Sequence, residues 1–383
     1  MSQVTSEQVL AALRRVKDPD LHQDIVSLGF VTRNVVEDGT VRVTINLTTT
    51  ACPVKELMKG QAEEAIRALP GVTDVDVEMT AVTRAAAGPP RKLAPGVRHF
   101  VAVSSGKGGV GKSTVTVNLA VALARTGARV GVLDCDVYGP DIPMMMGLEG
   151  EPEQRGRKLL PKERHGIHTM SIGYLLAPDQ PVIWRGPMVH KLIEQFLADV
   201  EWGELDYLLV DMPPGTGDAQ LSLAQIVPLS GCVLVTTPQA VSTVDVGKAI
   251  GMFQQVDVEL LGVVENMAGY VVEGRVEGAP AGTAVTIETA EGPETVRTGP
   301  GGRFEAVVHL FGAGGADALA AKHGFPVLGR IPLHPAVRVG GDAGAPVCAT
   351  APDSALARAF SAAAGELARR IAIRATRALP VLQ

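Results

Sequence analysis

Nine consecutive residues concentrate the chemistry of this chain: Gly106-Lys107-Gly108-Gly109-Val110-Gly111-Lys112-Ser113-Thr114. They satisfy G-x-x-x-x-G-K-[ST], the spacing of a phosphate-cradling loop, or P-loop. Glycine tolerates the backbone conformations that turn successive N–H groups inward onto phosphate oxygens. The helix that such a loop opens adds its positive N-terminal dipole. At this spacing Lys112 is expected to reach the β- and γ-phosphates, with the Ser113 hydroxyl on Mg²⁺. The motif predicts binding of a nucleoside triphosphate, ATP above all, and its hydrolysis.

Two strand ends supply carboxylates. Leu133-Asp134-Cys135-Asp136 closes one apolar run and Tyr207-Leu208-Leu209-Val210-Asp211 closes another. In an open parallel sheet the carboxyl ends of the strands face the ligand crevice, so Asp136 and Asp211 point toward the loop's ligand. Asp211 is in the Walker-B arrangement and is the expected metal-holding carboxylate, directly or through water. Pro213-Pro214-Gly215-Thr216-Gly217-Asp218 follows it and reads as a switch that senses the γ-phosphate. Cys135 lies between two aspartates and Cys232 inside an apolar strand, so both are read as core.

These residues need a scaffold. Phe100–Ser104, Arg129–Asp134, Tyr207–Asp211, Cys232–Thr236, Leu260–Val264 and Val327–Ile331 read as buried strands, most of them separated by helical stretches. That alternation predicts an α/β fold, a doubly wound, mostly parallel sheet with helices on both faces. The P-loop follows the first of these strands and opens a helix to about Thr126. The low aromatic content, 4%, also suits a Val/Leu/Ala/Ile-rich parallel core.

Residues 1–81 read as a small, separate α/β domain. Thr5 and Gln8 form a capping box ahead of Val9, Leu10, Leu13 and Val16 on one helical face. Strand-like runs follow at Ile25–Val36, Val41–Leu47 and Val72–Val77, with a helix from Cys52-Pro53 to Leu69. Residues 82–98 are rich in Ala, Pro and Gly and read as a linker. The P-loop domain then spans 99–375, and 376–383 form a tail. Within it, Val272–Val307 breaks the rhythm and reads as an inserted hairpin or a mobile loop. Asp353–Arg374 reads as a long terminal helix.

The net charge of −6 argues against a general nucleic-acid partner. No apolar run approaches the roughly 20 residues that span a bilayer, and the first residues lack a signal-peptide core, so the expected location is cytoplasmic with no membrane partner. The four cysteines, Cys52, Cys135, Cys232 and Cys348, are dispersed and form no disulfide framework.

Lys107, the extra lysine inside the loop, resembles the signature of the deviant P-loop ATPases related to MinD and the nitrogenase iron protein. That resemblance implies an ATP-dependent homodimer in which Lys107 contacts the nucleotide of the partner subunit. It also implies that Asp136 orients the attacking water, so that Lys112, Asp136 and Lys107 form the catalytic set, and that Asn266 of Glu265-Asn266-Met267 reads the adenine edge. Further strings narrow the resemblance: Tyr138-Gly139-Pro140-Asp141-Ile142-Pro143, Trp184-Arg185-Gly186-Pro187-Met188, the Pro213–Asp218 segment, and Gly329-Arg330-Ile331-Pro332-Leu333-His334-Pro335. Together they are similar to the Mrp/ApbC iron–sulfur cluster carrier ATPases over residues 98–271 and 309–372. The N-terminal unit, with Asp18-Pro19-Asp20 and Thr48-Thr49-Thr50-Ala51-Cys52-Pro53, resembles the small iron–sulfur-assembly domain often fused ahead of them. The resemblance implies delivery of clusters to apo iron–sulfur proteins, with assembly factors as further partners.

One departure bears on the cargo. The family carries a Cys-Pro-x-Cys pair after Glu-Asn-Met, and two such pairs across a dimer hold a [4Fe–4S] cluster. Here no cysteine lies between Cys232 and Cys348, and the insert occupies that place. Cys52, at a helix N-terminus where a thiol pKa falls, is the remaining candidate cluster ligand. Three readings stay open: a cluster carrier using Cys52 or unusual ligands, a MinD/ParA-like dimeric switch that binds no cluster, and an assembly adaptor.

Overall fold

The computed structural model describes residues 4–19, 21–47, 49, 54–81, 93–176, 186–289 and 292–377. In the N-terminal unit, the helix Ser6–Leu13 starts at a reciprocal cap. Thr5 Oγ1 accepts from the Gln8 amide at 3.3 Å, and Gln8 Oε1 accepts from the Thr5 amide at 2.9 Å. Strand Val31–Glu37 pairs antiparallel with Thr40–Leu47, which pairs in parallel with Asp74–Ala81. The helix Lys55–Arg67 lays Met58, Ala62 and Ile66 onto this sheet, at the four-residue spacing of one helical face. The expected strand Ile25–Val36 begins only at Val31. Ahead of it, Asp24 Oδ1 accepts from the Ser27 amide at 2.8 Å and Gly29 takes φ +69°, so local turn chemistry overrides the apolar run.

The large sheet of the P-loop unit runs, from edge to edge, Arg303–Val308, Leu260–Arg275, Leu229–Thr236, Val97–Ser105, Leu205–Asp211, Val130–Asp134, Ile167–Ser171 and Lys162–Arg164. Val327–Leu333 also pairs with Leu260–Arg275. The central pairings are all parallel, and the two outermost are antiparallel. The fold is therefore α/β with a parallel-dominated sheet. Period-two alternation splits the central strands between two cores. Val101, Val103, Leu209 and Val132 face the P-loop helix Lys112–Arg125 and the terminal helix Ala355–Arg377. Phe100, Ala102, Leu208 and Val210 face Gly186–Asp199, Asp218–Ile226 and Ala240–Gln255. Residues 207–210 are fully buried, which is why both faces read as apolar. Truncating Leu209 to Ala would cost roughly 2–5 kcal/mol.

Two features depart from the sequence expectation. The strand beginning at Leu260 does not end at Val264 but continues to Arg275, past Met267 at φ +56° and a register shift between Asn266 and Tyr270. Its distal half pairs with Arg303–Val308, with Arg275 opposite Arg303. Beyond it, Ala284–Thr289 and Gly292–Arg297 form a second antiparallel pair. The insert is thus a β-ribbon growing from the sheet. The second departure is an edge hairpin, Lys162–Arg164 with Ile167–Ser171, which has no counterpart among the expected strands. Among the described residues no helix is long and apolar enough to cross a membrane.

Candidate nucleotide site

The loop leaves the strand Val97–Ser105 and enters the helix at Lys112. Gly109 and Gly111 both sit at φ +80°, the left-handed region where a Cβ is strained. Gly108 and Gly109 have open space where a side chain would go, so their backbone lies bare toward the crevice. Gly106 is different: a Cβ there would meet the backbone of Asp245 at 2.3 Å. At the loop entry, Ser105 Oγ donates to the Lys107 carbonyl at 2.9 Å.

Behind the loop lies a buried ionic cluster. Lys112 Nζ is 2.6 Å from Asp211 Oδ2, 3.3 Å from Ser113 Oγ and 3.8 Å from Asp136 Oδ2. Asp211 takes two further donors: Ser113 Oγ donates to Oδ2 at 2.7 Å and Thr116 Oγ1 donates to Oδ1 at 2.6 Å. The structure thus brings Asp136 and Asp211, from two separate strand ends, onto the adjacent Lys112 and Ser113. Asp134 supports them from below. Its Oδ1 accepts from the Asp136 amide at 3.0 Å and its Oδ2 accepts from Ser171 Oγ at 2.8 Å.

Burial works against the charge on Lys112, but Asp211, Asp136 and Asp134 outweigh it and hold the ammonium above its ordinary pKa. Asp134 is pushed well up by burial and by Asp211, with Ser171 and Lys112 opposing. Asp136 is raised less: burial lifts it, and Lys112 pulls against that. The cluster therefore holds a fixed cation beneath bare loop amides, beside carboxylate and hydroxyl oxygens. Those amides and the cation suit phosphate, and the oxygen-only pair Ser113–Asp211 suits a hard divalent ion such as Mg²⁺.

Asn266 reaches the loop from the strand Leu260–Arg275, two places along the sheet from the P-loop strand: its Nδ2 donates to the Val110 carbonyl at 2.8 Å. A Cβ on Gly111 would lie 2.4 Å from the same nitrogen, so the glycine makes room for it. Beside them is a cavity of about 200 Å³, lined by Asn266, Met267, Met145, Pro332, Leu333 and His334, among others. Its apolar lining suits a planar base. Of these, only Asn266 stood among the sequence candidates. Pro332 to His334 belong to the family-like string Gly329–Pro335, which by itself names no role, and nothing in the sequence around Met145 points to a ligand.

Lys107 is half-buried and pairs with no carboxylate among the described residues. Around the loop, Tyr138, Val241 and Val244 are 65%, 66% and 64% exposed, an unusual density of apolar side chains at a polar crevice. The Pro213–Asp218 segment, the expected switch, is anchored to the P-loop strand, with the Gly215 amide donating to the Ser105 carbonyl at 3.1 Å.

Cys135, Cys232 and Cys348 are free and buried. Burial raises the first two thiols well above their usual range and lifts Cys348 to about 12. Cys52 lies outside the described residues. Among the described residues no group of three or more His, Cys, Asp or Glu side chains is placed to hold a metal ion. An iron–sulfur cluster, which wants exposed thiolates, does not fit the three described cysteines.

Comparison with known proteins gives two family matches. The model of the NUBPL iron-transfer P-loop NTPases covers residues 96–279 and 302–368, and that of an iron–sulfur cluster assembly protein covers 6–79. An iron–sulfur cluster carrier protein of Synechocystis is 44% identical over 97% of this chain and 99% of its own length. One from Deinococcus radiodurans is 45% identical over 98% of each. Among solved structures, a nucleotide-binding protein of Archaeoglobus fulgidus in complex with ADP aligns at 39% identity and TM-score 0.50, covering 65% of this chain and 87% of that one.

Proposed function

Because this chain belongs to the NUBPL iron-transfer P-loop NTPase family, we propose that it is an ATP hydrolase that carries or helps assemble iron–sulfur clusters for apo-proteins. The observation that carries the ATP half is the convergence of Lys112, Ser113, Asp136 and Asp211 beneath the bare amides of Gly108 and Gly109. Loop amides and Lys112 bind the β- and γ-phosphates, Ser113 and Asp211 hold Mg²⁺, and Asn266 with the adjoining cavity takes adenine. Bound Mg²⁺ supplies charge neutralisation at the phosphates. Asp136 orients the attacking water at the rim of the cluster. The exposed Tyr138, Val241 and Val244 support a homodimer closing over this face, with Lys107 reaching the partner's nucleotide. Our division of the chain is 1–81 for the assembly-type domain, 82–98 for a linker, 99–375 for the P-loop domain and 376–383 for a tail.

Full-length protein with Mg-ATP should release phosphate, sediment as a dimer with a non-hydrolysable analogue, and bind that analogue in proportion to chain concentration. Absence of analogue binding would overturn the ATP reading. For the cargo, anaerobic reconstitution with iron and sulfide should give visible absorption and bound iron that Cys52→Ser diminishes. The burial of Cys135, Cys232 and Cys348 favours a second reading, a dimeric ATPase switch or adaptor that holds no cluster itself. A colourless, iron-free product that still hydrolyses ATP would select it.

A further inference from the structure

A second polar side chain is buried at the switch, and no role above uses it. Gln220 lies three residues into the helix Asp218–Ile226 that follows the switch and is 1% exposed. Its Nε2 donates to the Pro213 carbonyl, the first residue of the switch, and to Ser104 Oγ on the P-loop strand at 3.3 Å. Two acceptors on one nitrogen fix the amide's orientation, since a flipped amide would set its oxygen against the Pro213 carbonyl. The other amide atom, Oε1, is buried and meets no hydrogen-bond partner among the described residues. A buried acceptor without a donor is rare in a folded protein and marks either strain or a second state in which the donor arrives.

We propose that Gln220 is a positioning residue that couples the switch to the P-loop strand. Its nitrogen ties Pro213 to Ser104, and its spare oxygen takes a donor from the Pro214–Gly217 segment when the γ-phosphate draws that segment in. The surroundings leave room for such a movement. Pro214, Thr216 and Gly217 are exposed, and Gly215 is held at φ +96° with open space where a side chain would go. The segment's backbone tie to the P-loop strand runs from the Gly215 amide to the Ser105 carbonyl, one residue beyond Ser104. Gln220 and Gly215 thus grip adjacent residues of one strand, and the P-loop begins at the next residue. Such a grip passes a change at the phosphates into the Asp218–Ile226 helix.

The inference rests on the ATP reading but is tested apart from it, by amide hydrogen exchange of residues 212–220 in full-length protein with ADP and with a non-hydrolysable ATP analogue. Wild type should show analogue-dependent protection of this segment. Gln220→Met, unbranched and of similar length, should lose most of that difference while binding the analogue within about threefold of wild type and hydrolysing ATP roughly 10-fold more slowly. Ser104→Ala removes one of the two acceptors without touching the helix, so it tests the same link should the Met variant melt early, and it should give a smaller loss in the same direction. Full analogue-dependent protection in both variants would overturn the proposal. Failure of the ATP reading would instead show in wild type, as no analogue binding at all.

Discussion

The P-loop cluster and the ribbon of residues 272–307 grow from the same sheet, yet they are built by opposite rules. In the cluster, charge is buried and nearly every polar atom is answered: Asp211 takes Lys112, Ser113 and Thr116, and Asp134 takes Ser171 and the Asp136 amide. In the ribbon, side chains alternate between exposed and half-buried, and the Ala284–Thr289 and Gly292–Arg297 strands pair chiefly with each other. Burial makes the first region intolerant of change, because an unanswered charge in a low-dielectric interior is costly. Solvent makes the second permissive. The contrast separates a buried cluster that a substitution disrupts from a solvated ribbon that tolerates one.

The sharpest test removes the cation. Lys112→Ala should lower phosphate release by at least about 100-fold, measured at saturating Mg-ATP, because the buried carboxylates then face the phosphates unopposed. Asp136→Ala should produce a comparable loss in kcat, roughly 100-fold, with the affinity for a non-hydrolysable analogue held within about threefold. If both variants turned over like wild type, the cluster would be structural. Thiol labelling discriminates next. At pH 8, at most one thiol per chain should react in the native state, against four after denaturation, since Cys135, Cys232 and Cys348 are buried with thiols raised above their ordinary range. Rapid labelling of two or more native thiols would contradict the packing around them.

The smallest effect should come from the ribbon. Arg275 and Arg303 face each other in register, so residues 276–302 can be replaced by Asn-Gly, which closes a two-residue hairpin. ATP turnover should stay within roughly twofold of wild type. A large loss would erase the distinction between the regions. Unchanged turnover with impaired transfer of iron to an acceptor would sharpen it, assigning the ribbon to cargo.

Legibility in the sequence follows the same divide. The glycine spacing of the loop was readable because three of its four glycines answer a backbone demand, φ +80° at Gly109 and Gly111 and a close approach at Gly106. The central strands were readable because burial on both faces leaves an unbroken apolar run. The hairpin Lys162–Arg164 with Ile167–Ser171 was not, since its edge strand keeps Lys162, Glu163 and Arg164 partly in water. From the sequence, the strand from Leu260 is expected to end at Val264, since the Asn266 that follows is common in turns. The left-handed Met267 absorbs the irregularity and lets the strand resume. Gln220 left no trace, because a lone glutamine in a helix has no spacing to betray it. Asn266 was singled out for a base, and its contact with the Val110 carbonyl is a second task that no motif announces.

Gly106 has a consequence of its own. At this position the loop meets the helix Ala240–Gln255 backbone against backbone, too closely for even a methyl group. Side chains can turn aside when a neighbour moves, but two bare main chains in contact cannot. A side chain at position 106 would therefore have to push the helix away from the loop entrance. That helix carries Val241 and Val244 into solvent. The glycine at the loop entrance therefore sets how closely the surface that carries Val241 and Val244 sits to the P-loop.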